Sequence, residues 1–297
     1  MLLGFFFFGI GNAFVKFTAG TYTISQIVAL RSLTILAPLL IYILFIQKKS
    51  PPRLLFQTLK LKAHINRGVV MGISRWWIVY GFKMLPMANA TAIGFSEILF
   101  MTIVSIPFLK ERVNKAQWIA IIIGFLGVLI VARPSTDLFD LTKIATILML
   151  IGGCLDGIVL LYPRKMGKTD SILTILFYYA FISSIFAFGV VIFEGWTPIA
   201  SEDFIWLLGI GIFSLLGQLC ATYAFQFASA GSLSPMIYSL LLWATLFGYL
   251  FWGEIPDIYT IIGSCIVILS GLFVIYQSSD PIEADILLTP EGGHINE

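Results

Sequence analysis

Charged residues are scarce in this sequence, and their scarcity excludes a water-soluble fold. Only 11% of the 297 residues are Asp, Glu, Lys or Arg, whereas 59% are hydrophobic. A soluble protein of this length could not bury so much apolar surface in its interior. The composition therefore indicates a chain that lies mostly within a membrane.

Residues that support catalysis are equally rare. The two histidines, His64 and His294, lie outside the apolar segments, which leaves no intramembrane histidine for a His-based metal site or a proton relay. A Gly-x-x-x-x-Gly-Lys-Ser/Thr phosphate loop is missing, so ATP is not the direct energy source. The three cysteines fall inside apolar segments, so the sequence implies no disulfide framework. We expect neither an enzyme nor a bound cofactor.

Long hydrophobic runs dominate what remains. A helix needs roughly 20 mostly apolar residues to cross a bilayer, and hydropathy supplies ten such stretches. The predicted fold class is an all-α integral membrane protein of ten transmembrane helices, over residues 1–18, 26–46, 66–85, 88–109, 117–132, 142–162, 172–193, 204–225, 232–252 and 258–276.

Lys and Arg concentrate in alternate loops, which predicts the orientation. Twelve lie in the loops after the second, fourth and sixth segments, and three lie on the opposite side. Because loops rich in Lys and Arg stay in the cytoplasm, both termini are predicted to be cytoplasmic. Residues 278–297 carry acidic but no basic side chains, which indicates a disordered tail or, alternatively, a partner-binding segment. Residues 1–19 lack a basic start and are interpreted as a spanning helix, not as a signal peptide.

The two halves of the sequence resemble each other weakly. An offset of 143 residues aligns the third and fourth segments with the eighth and ninth, and places Glu111 against Glu254. An odd number of helices per repeat turns the second copy upside down in the bilayer. Inverted repeats are typical of secondary transporters that expose a central site to each side in turn. We therefore predict five-helix repeats at 1–135 and 136–277.

Among the charged side chains inside the predicted helices, the first to examine are Arg75, Glu97 and Asp156. Such residues usually face a cavity or a partner, because a charge is costly in lipid. Arg75 and Glu97 lie about 13 to 15 Å below the outer ends of adjacent helices. They form either a structural ion pair or a cavity in which Arg75 holds a carboxylate or phosphate and Glu97 holds an amine or a proton. Asp156 either binds a cationic group or joins helices, and Gln218 aligns with Arg75 in the second repeat.

Aromatic residues are candidates for the walls of such a cavity, where they would suit cationic or planar substrates. The alternative for each is a packed or lipid-facing side chain. Lys16 and Arg31 lie nearer the outer face, where extension toward the lipid headgroups explains them. The aromatic candidates for substrate binding are Trp76, Tyr178, Tyr238 and Trp243.

The stretch from Tyr238 to Asp257 contains Trp243-Ala-Thr-Leu-Phe-Gly and Trp252-Gly-Glu-Ile-Pro. It resembles the end of an EamA-type repeat of the drug/metabolite transporter superfamily, and Pro107-Phe-Leu-Lys-Glu is similar to the same signature in the first half. This resemblance implies ten helices, cytoplasmic termini and a cavity between the repeats. Asp156, with the residues from Ser171 onward, also resembles S-adenosylmethionine carriers of intracellular bacteria.

These observations favour a secondary carrier of a small polar metabolite, such as an amino acid or a derivative like S-adenosylmethionine. Transport would proceed by exchange or be coupled to a proton at Glu97. The expected partners are a small-molecule substrate and the lipid bilayer of a bacterial inner membrane, without nucleic acid. The alternative is a scaffold or lipid-handling subunit that transports nothing, for which the acidic tail is the only support.

Overall fold

The computed structural model describes residues 1–42, 58–109, 115–132, 141–166, 170–227, 236 and 238–277. Within these residues every regular element is helical, which confirms the predicted all-α class. The predicted acidic tail and the predicted start of the ninth segment lie mainly outside the described residues. The helices are α1 Leu2–Thr18, α2 Ile24–Ile41, α3 Leu61–Met84, α4 Met87–Gly94, α5 Ser96–Leu109, α6 Lys115–Ala132, α7 Leu141–Met166, α8 Ile172–Glu194, α9 Phe204–Phe227, α10 Ser239–Trp252 and α11 Ile258–Gln277.

Helix length and hydropathy match a membrane setting. Among the described residues, five stretches are long and apolar enough to cross a bilayer, and four shorter apolar helices accompany them. The five are Ile24–Ile41, Met87–Pro107, Lys115–Ala132, Leu141–Val159 and Leu173–Glu194. The number of ten spanning helices therefore stays a prediction.

The fourth predicted segment is divided into α4 and α5. The backbone turns at Phe95, where the N–H of Phe95 donates to the Thr91 carbonyl at 3.1 Å and the N–H of Ile98 donates to the Phe95 carbonyl at 3.2 Å. The second bond spans three residues and tightens the chain locally. This break places Glu97 in the first turn of α5.

Side-chain caps and a glycine define the helix ends near the short turns. The Thr23 hydroxyl accepts a hydrogen bond from the Gln26 N–H at the start of α2, and Ser171 caps α8 in the same way. Helix α10 ends at Gly253, whose φ of 65° lies in the left-handed region that favours glycine.

Contacts between the two halves of the chain occur in matched sets. α1 packs on α9 and α3 packs on α7; α3 packs on α8 and α9 packs on α2; α5 packs on α7 and α10 packs on α1. In each set, the two contacts are related by the repeat: replacing both helices of one contact by their counterparts in the other half gives the second contact. For example, α1 and α9 correspond to α7 and α3. The remaining large contacts, α6 with α11 and α2 with α8, join a helix to its own counterpart.

The α6–α11 pair is antiparallel. The Ala120 carbonyl accepts a hydrogen bond from the Ser270 hydroxyl, while Val131, at the other end of α6, lies against Gly263. Residues with higher numbers in α6 therefore contact residues with lower numbers in α11, so the two helices run in opposite directions. Counterpart helices that run in opposite directions are what an inverted repeat requires.

The outward face of the bundle is apolar. Along α6, large aliphatic side chains at a spacing of three or four residues are about half exposed, which marks one helix face. An exposed apolar stripe of this length is unfavourable in water and suits lipid. This stripe consists of Ile119, Ile122, Leu126 and Leu129.

Candidate functional site

A cavity of about 300 Å³ lies between the two halves of the bundle. Helices α1 to α5 line it from the first half, and α7 to α10 line it from the second. Most of its wall is apolar, but several polar and charged side chains from eight helices converge on it. These are Asn12, Arg31, Arg67, Arg75, Thr91, Glu97, Asp156, Tyr179, Ser214 and Gln218.

Four residues that the sequence proposed for substrate binding line this cavity. Arg75, Glu97, Asp156 and Gln218 come from α3, α5, α7 and α9, and so from both halves. Gln218 is the residue that the 143-residue offset aligned with Arg75. The structure therefore brings the charged candidates together around one space.

The ion-pair partner of Arg75 is Asp156. Its Nη2 lies 3.1 Å from Oδ2 of Asp156, which is 3% exposed, while the Arg75 side chain is 22% exposed. The other carboxylate oxygen, Oδ1, accepts a hydrogen bond of 2.5 Å from the Ser74 hydroxyl. Asp156 is thus held from two sides by α3, and the Arg75–Glu97 pair considered from the sequence does not form.

Glu97 makes neither a hydrogen bond nor an ion pair within the described part of the chain. Its carboxylate lies within electrostatic range of Asp156, Arg75 and the phenol of Tyr238. A Cβ at Gly157 would lie 2.8 Å from the carbonyl oxygen of Glu97 and from the N–H nitrogen of Met101, so only glycine lets α7 approach α5 this closely. This approach brings the Glu97 and Asp156 carboxylates to the same part of the cavity.

Arg31 and Arg67 also line the cavity, although the sequence placed neither there. Arg31 was expected to extend toward the lipid headgroups, and Arg67 was expected in a cytoplasmic loop. Instead, α3 begins at Leu61, and Arg67 is 8% exposed. Its Nη1 donates to the Ile175 carbonyl at 3.2 Å, and its guanidinium lies 5.7 Å from the ring centre of Tyr179.

The four aromatic candidates pack elsewhere and are corrected here. In the described structure none of them lines the cavity. Trp76 donates its indole N–H to the Ser25 hydroxyl at 3.0 Å, and Tyr178 stacks on His64 at 4.6 Å. The remaining two make edge-to-face contacts at 5.0 Å, Tyr238 with Phe95 and Trp243 with Phe6.

The tyrosine in the cavity is Tyr179, one residue beyond the predicted Tyr178. Consecutive helical residues point about 100° apart, because 3.6 residues complete a turn. Helix α8 is apolar around most of its circumference, so hydropathy alone does not fix which of two adjacent tyrosines faces inward. The position of Arg67 distinguishes Tyr179 from Tyr178, because its positive charge attracts the face of the Tyr179 ring.

Polar contacts join the two halves at the end of the bundle near Lys16. The Lys16 ammonium pairs with Glu254 and donates to the Leu85 carbonyl, and the other Glu254 oxygen accepts the Met87 N–H at 2.8 Å. The Tyr22 hydroxyl donates to Asp203 at 2.8 Å. Lys16 is therefore held by protein groups, which corrects the expectation of headgroup contact, and Glu254 binds the backbone at the start of α4.

A second group of contacts joins the halves at the opposite end. Nε2 of His64 lies 2.6 Å from Oδ2 of Asp170, which also accepts a hydrogen bond of 2.7 Å from Thr58. His64 and Asp170 are both almost fully buried. His64, expected in a loop, lies in the first turn of α3 and connects that helix to the start of α8.

Comparison with known proteins places this architecture in a family. The EamA-like transporter family matches the chain twice, at residues 1–133 and 143–276. An S-adenosylmethionine uptake transporter of Rickettsia felis (strain ATCC VR-1525 / URRWXCal2) is 27% identical over 216 residues, which cover 72% of this chain and 71% of that protein. The pseudopaline exporter CntI of Pseudomonas aeruginosa (strain UCBPP-PA14) is 26% identical over 275 residues, with coverage of 91% and 92%.

A solved crystal structure shares the fold. It aligns with a TM-score of 0.63 at 15% sequence identity and covers 92% of this chain and 94% of its own. Both family matches, at 1–133 and 143–276, contribute helices to the cavity described above. The chain belongs to the EamA-like transporter family, whose members are multi-pass membrane transporters.

Proposed function

We propose that this protein is a secondary transporter that carries a small polar metabolite by alternating access. The observation that supports this most directly is the cavity between the halves, which contains groups of both charge signs. Ten spanning helices, arranged as inverted repeats at 1–135 and 136–277, would form the two moving bodies. The site would open first to one side of a bacterial inner membrane and then to the other, with both termini in the cytoplasm.

The substrate class follows from the charges in the cavity. Guanidinium groups bind carboxylates, and carboxylates bind ammonium or sulfonium groups, so a cavity with both suits a zwitterion. An amino acid or a derivative such as S-adenosylmethionine carries this combination. The relative from Rickettsia felis, named as an S-adenosylmethionine uptake transporter, supports the same class.

The matched contacts between the halves support alternating access. Exchange of each helix for its counterpart reproduces the largest contacts between the halves among the described residues. A carrier that alternates between two conformations with the roles of its halves exchanged would need such matched contacts. Such a pair of conformations would open the cavity toward opposite sides.

Counterflow into proteoliposomes tests the proposal. Purified protein is reconstituted with unlabelled solute inside, and uptake of the labelled solute is measured for the twenty protein amino acids, S-adenosylmethionine, nucleosides and polyamines. We expect saturable counterflow of at least one zwitterion that empty liposomes lack. A complete absence of flux for all four classes would overturn the proposal.

We further propose that Glu97 takes up the coupling proton. It is the cavity carboxylate without a partner in the described chain, and it faces the charges of Arg75 and Asp156 and the phenol of Tyr238. Glu97→Gln should abolish the pH dependence of transport, because an amide takes up no proton. Binding should weaken but not be lost, since the amide oxygen still accepts a hydrogen bond from an ammonium group. Glu202→Gln, an exposed residue outside the cavity, is the matched control. Retained pH dependence in Glu97→Gln would exclude this role.

A further inference from the structure

Three arginines line the cavity, and their environments differ. Arg75 pairs with Asp156, and Arg67 donates to the Ile175 carbonyl and lies on the Tyr179 ring. The buried Nε atom of all three lacks an acceptor, but the Arg31 guanidinium also has neither an ion pair nor a hydrogen bond at its other nitrogens within the described ranges.

A partly buried arginine without an anion is costly, because the burial removes part of its hydration. The lost hydration must be replaced by a group that binds in the cavity. A carboxylate fits the planar guanidinium best, because it accepts two parallel hydrogen bonds from it. The geometry therefore leaves a position for an anion at Arg31.

The backbone around Arg31 is firmly held. A Cβ at Gly211 of α9 would lie 3.1 Å from the Arg31 carbonyl oxygen, so the absence of a side chain at Gly211 lets the two helices touch at this level. Helix α2 cannot easily slide along α9 there. The guanidinium is consequently presented to the cavity at a fixed height, as a binding group requires.

Glu97 provides the complementary group. Within the described residues it is the cavity carboxylate with no ion pair, and Arg31 is the cavity guanidinium with neither an ion pair nor a hydrogen bond. The Arg75–Asp156 pair is already neutralised and lies within electrostatic range of both. Among the described residues the cavity thus contains one carboxylate without a cationic partner and two guanidinium groups without an anionic one, Arg31 and Arg67. Arg67 is bound by a carbonyl and a ring, which leaves the Arg31 guanidinium to bind an anion.

We infer that Arg31 is the residue that selects the substrate carboxylate, while Glu97 holds the cationic end and Arg75 positions Asp156. This inference rests on the proposed transport function and names the substrate as a zwitterion with a free carboxylate. It moves the anion-binding role from Arg75, where the sequence alone placed it, to Arg31.

Competition assays in proteoliposomes test this assignment. Each amino acid that shows counterflow is compared with its carboxamide, which keeps the ammonium but loses the carboxylate charge; S-adenosylmethionine is compared with its decarboxylated form. In the wild type we expect the acid to compete at least about tenfold better than the amide, as hydrogen bonds between charged groups predict. In Arg31→Gln this preference should disappear, because binding of the acid should weaken at least about tenfold while binding of the amide stays unchanged.

Two further variants separate a binding role from a folding role. Arg31→Lys keeps the charge and should restore part of the preference, and Lys83→Gln, an exposed cation on α3, should leave it intact. Thermal unfolding of each variant checks that the fold is kept.

An unchanged acid-to-amide ratio in Arg31→Gln, or loss of the ratio in Arg75→Gln alone, would overturn the assignment while transport stands. Flux of amines without flux of any acid would overturn it too, and no flux at all would overturn the transport function itself.

Discussion

Removal of the negative charge at Asp156 should destabilise the protein more than removal of an exposed charge. In Asp156→Asn the amide oxygen can still accept the hydrogen bond from Ser74, so the change isolates the loss of the ion pair with Arg75. Loss of one partner from a buried pair costs about 3–5 kcal/mol, because the other charge stays buried. Arg75 is 22% exposed, and this partial contact with the cavity reduces the cost to about 2–3 kcal/mol.

The assay is thermal unfolding of the purified protein in detergent. At roughly 2–4 °C per kcal/mol, we expect Asp156→Asn to lower the midpoint by at least about 4 °C. The double variant Arg75→Gln/Asp156→Asn removes both charges and should recover much of the loss. The resulting coupling energy should be about 2 kcal/mol. Lys83→Gln, the exposed control on α3, should shift the midpoint little.

Additive effects of the two single substitutions on thermal unfolding would refute the coupling between Arg75 and Asp156. If the free energy of unfolding lost in the double variant equals the sum of the losses in the two single variants, Arg75 and Asp156 do not stabilise each other. If Asp156→Asn unfolds at the wild-type temperature, the Arg75 charge is solvated well enough in the cavity without its partner. Either result would remove Asp156 as the group that holds Arg75 in place.

Two further predictions concern positions near the cavity. Gly157→Ala should destabilise the protein by about 1–3 kcal/mol, because its Cβ would meet the backbone of α5; Gly189→Ala, which meets nothing within 4 Å, is the control in the same unfolding assay. Tyr179→Phe should weaken substrate competition about two- to tenfold through loss of one hydrogen-bonding hydroxyl. Tyr178→Phe, outside the cavity, should leave competition unchanged, and equal effects of the two variants would contradict the described orientation of α8.

The sequence predicted the helices well because their signal is local. Most segment boundaries agree with the observed helices to within a few residues, since a run of apolar side chains is visible without knowledge of its neighbours. The break at Phe95 was not predicted, because apolar residues continue on both sides of it. The start of α3 at Leu61 was not predicted, because polar residues interrupt the apolar run there. His64 and Arg67 resemble loop residues when their partners are unknown.

The site residues were harder to predict because their partners are distant in sequence. Arg75 meets Asp156 across 81 positions, and His64 meets Asp170 across 106. Burial of a charge could be recognised from its position within an apolar run, but the partner could not. The internal repeat supplied Gln218, which shows that symmetry carries some tertiary information that hydropathy lacks.

The polar contacts at the two ends of the bundle bear on how such a carrier moves. Lys16–Glu254 at one end and His64–Asp170 at the other both join the first half to the second, and both are formed at once in this structure. In the proposed alternating access, opening toward either side would break one of them, at a cost of a few kcal/mol for a pair shielded from water. A substrate that binds Arg31 and Glu97 joins α2 to α5 and can offset such a cost only through a difference in affinity between conformations. A tenfold difference corresponds to about 1.4 kcal/mol, so one well-matched zwitterion is enough to bias which end opens without making either conformation inaccessible.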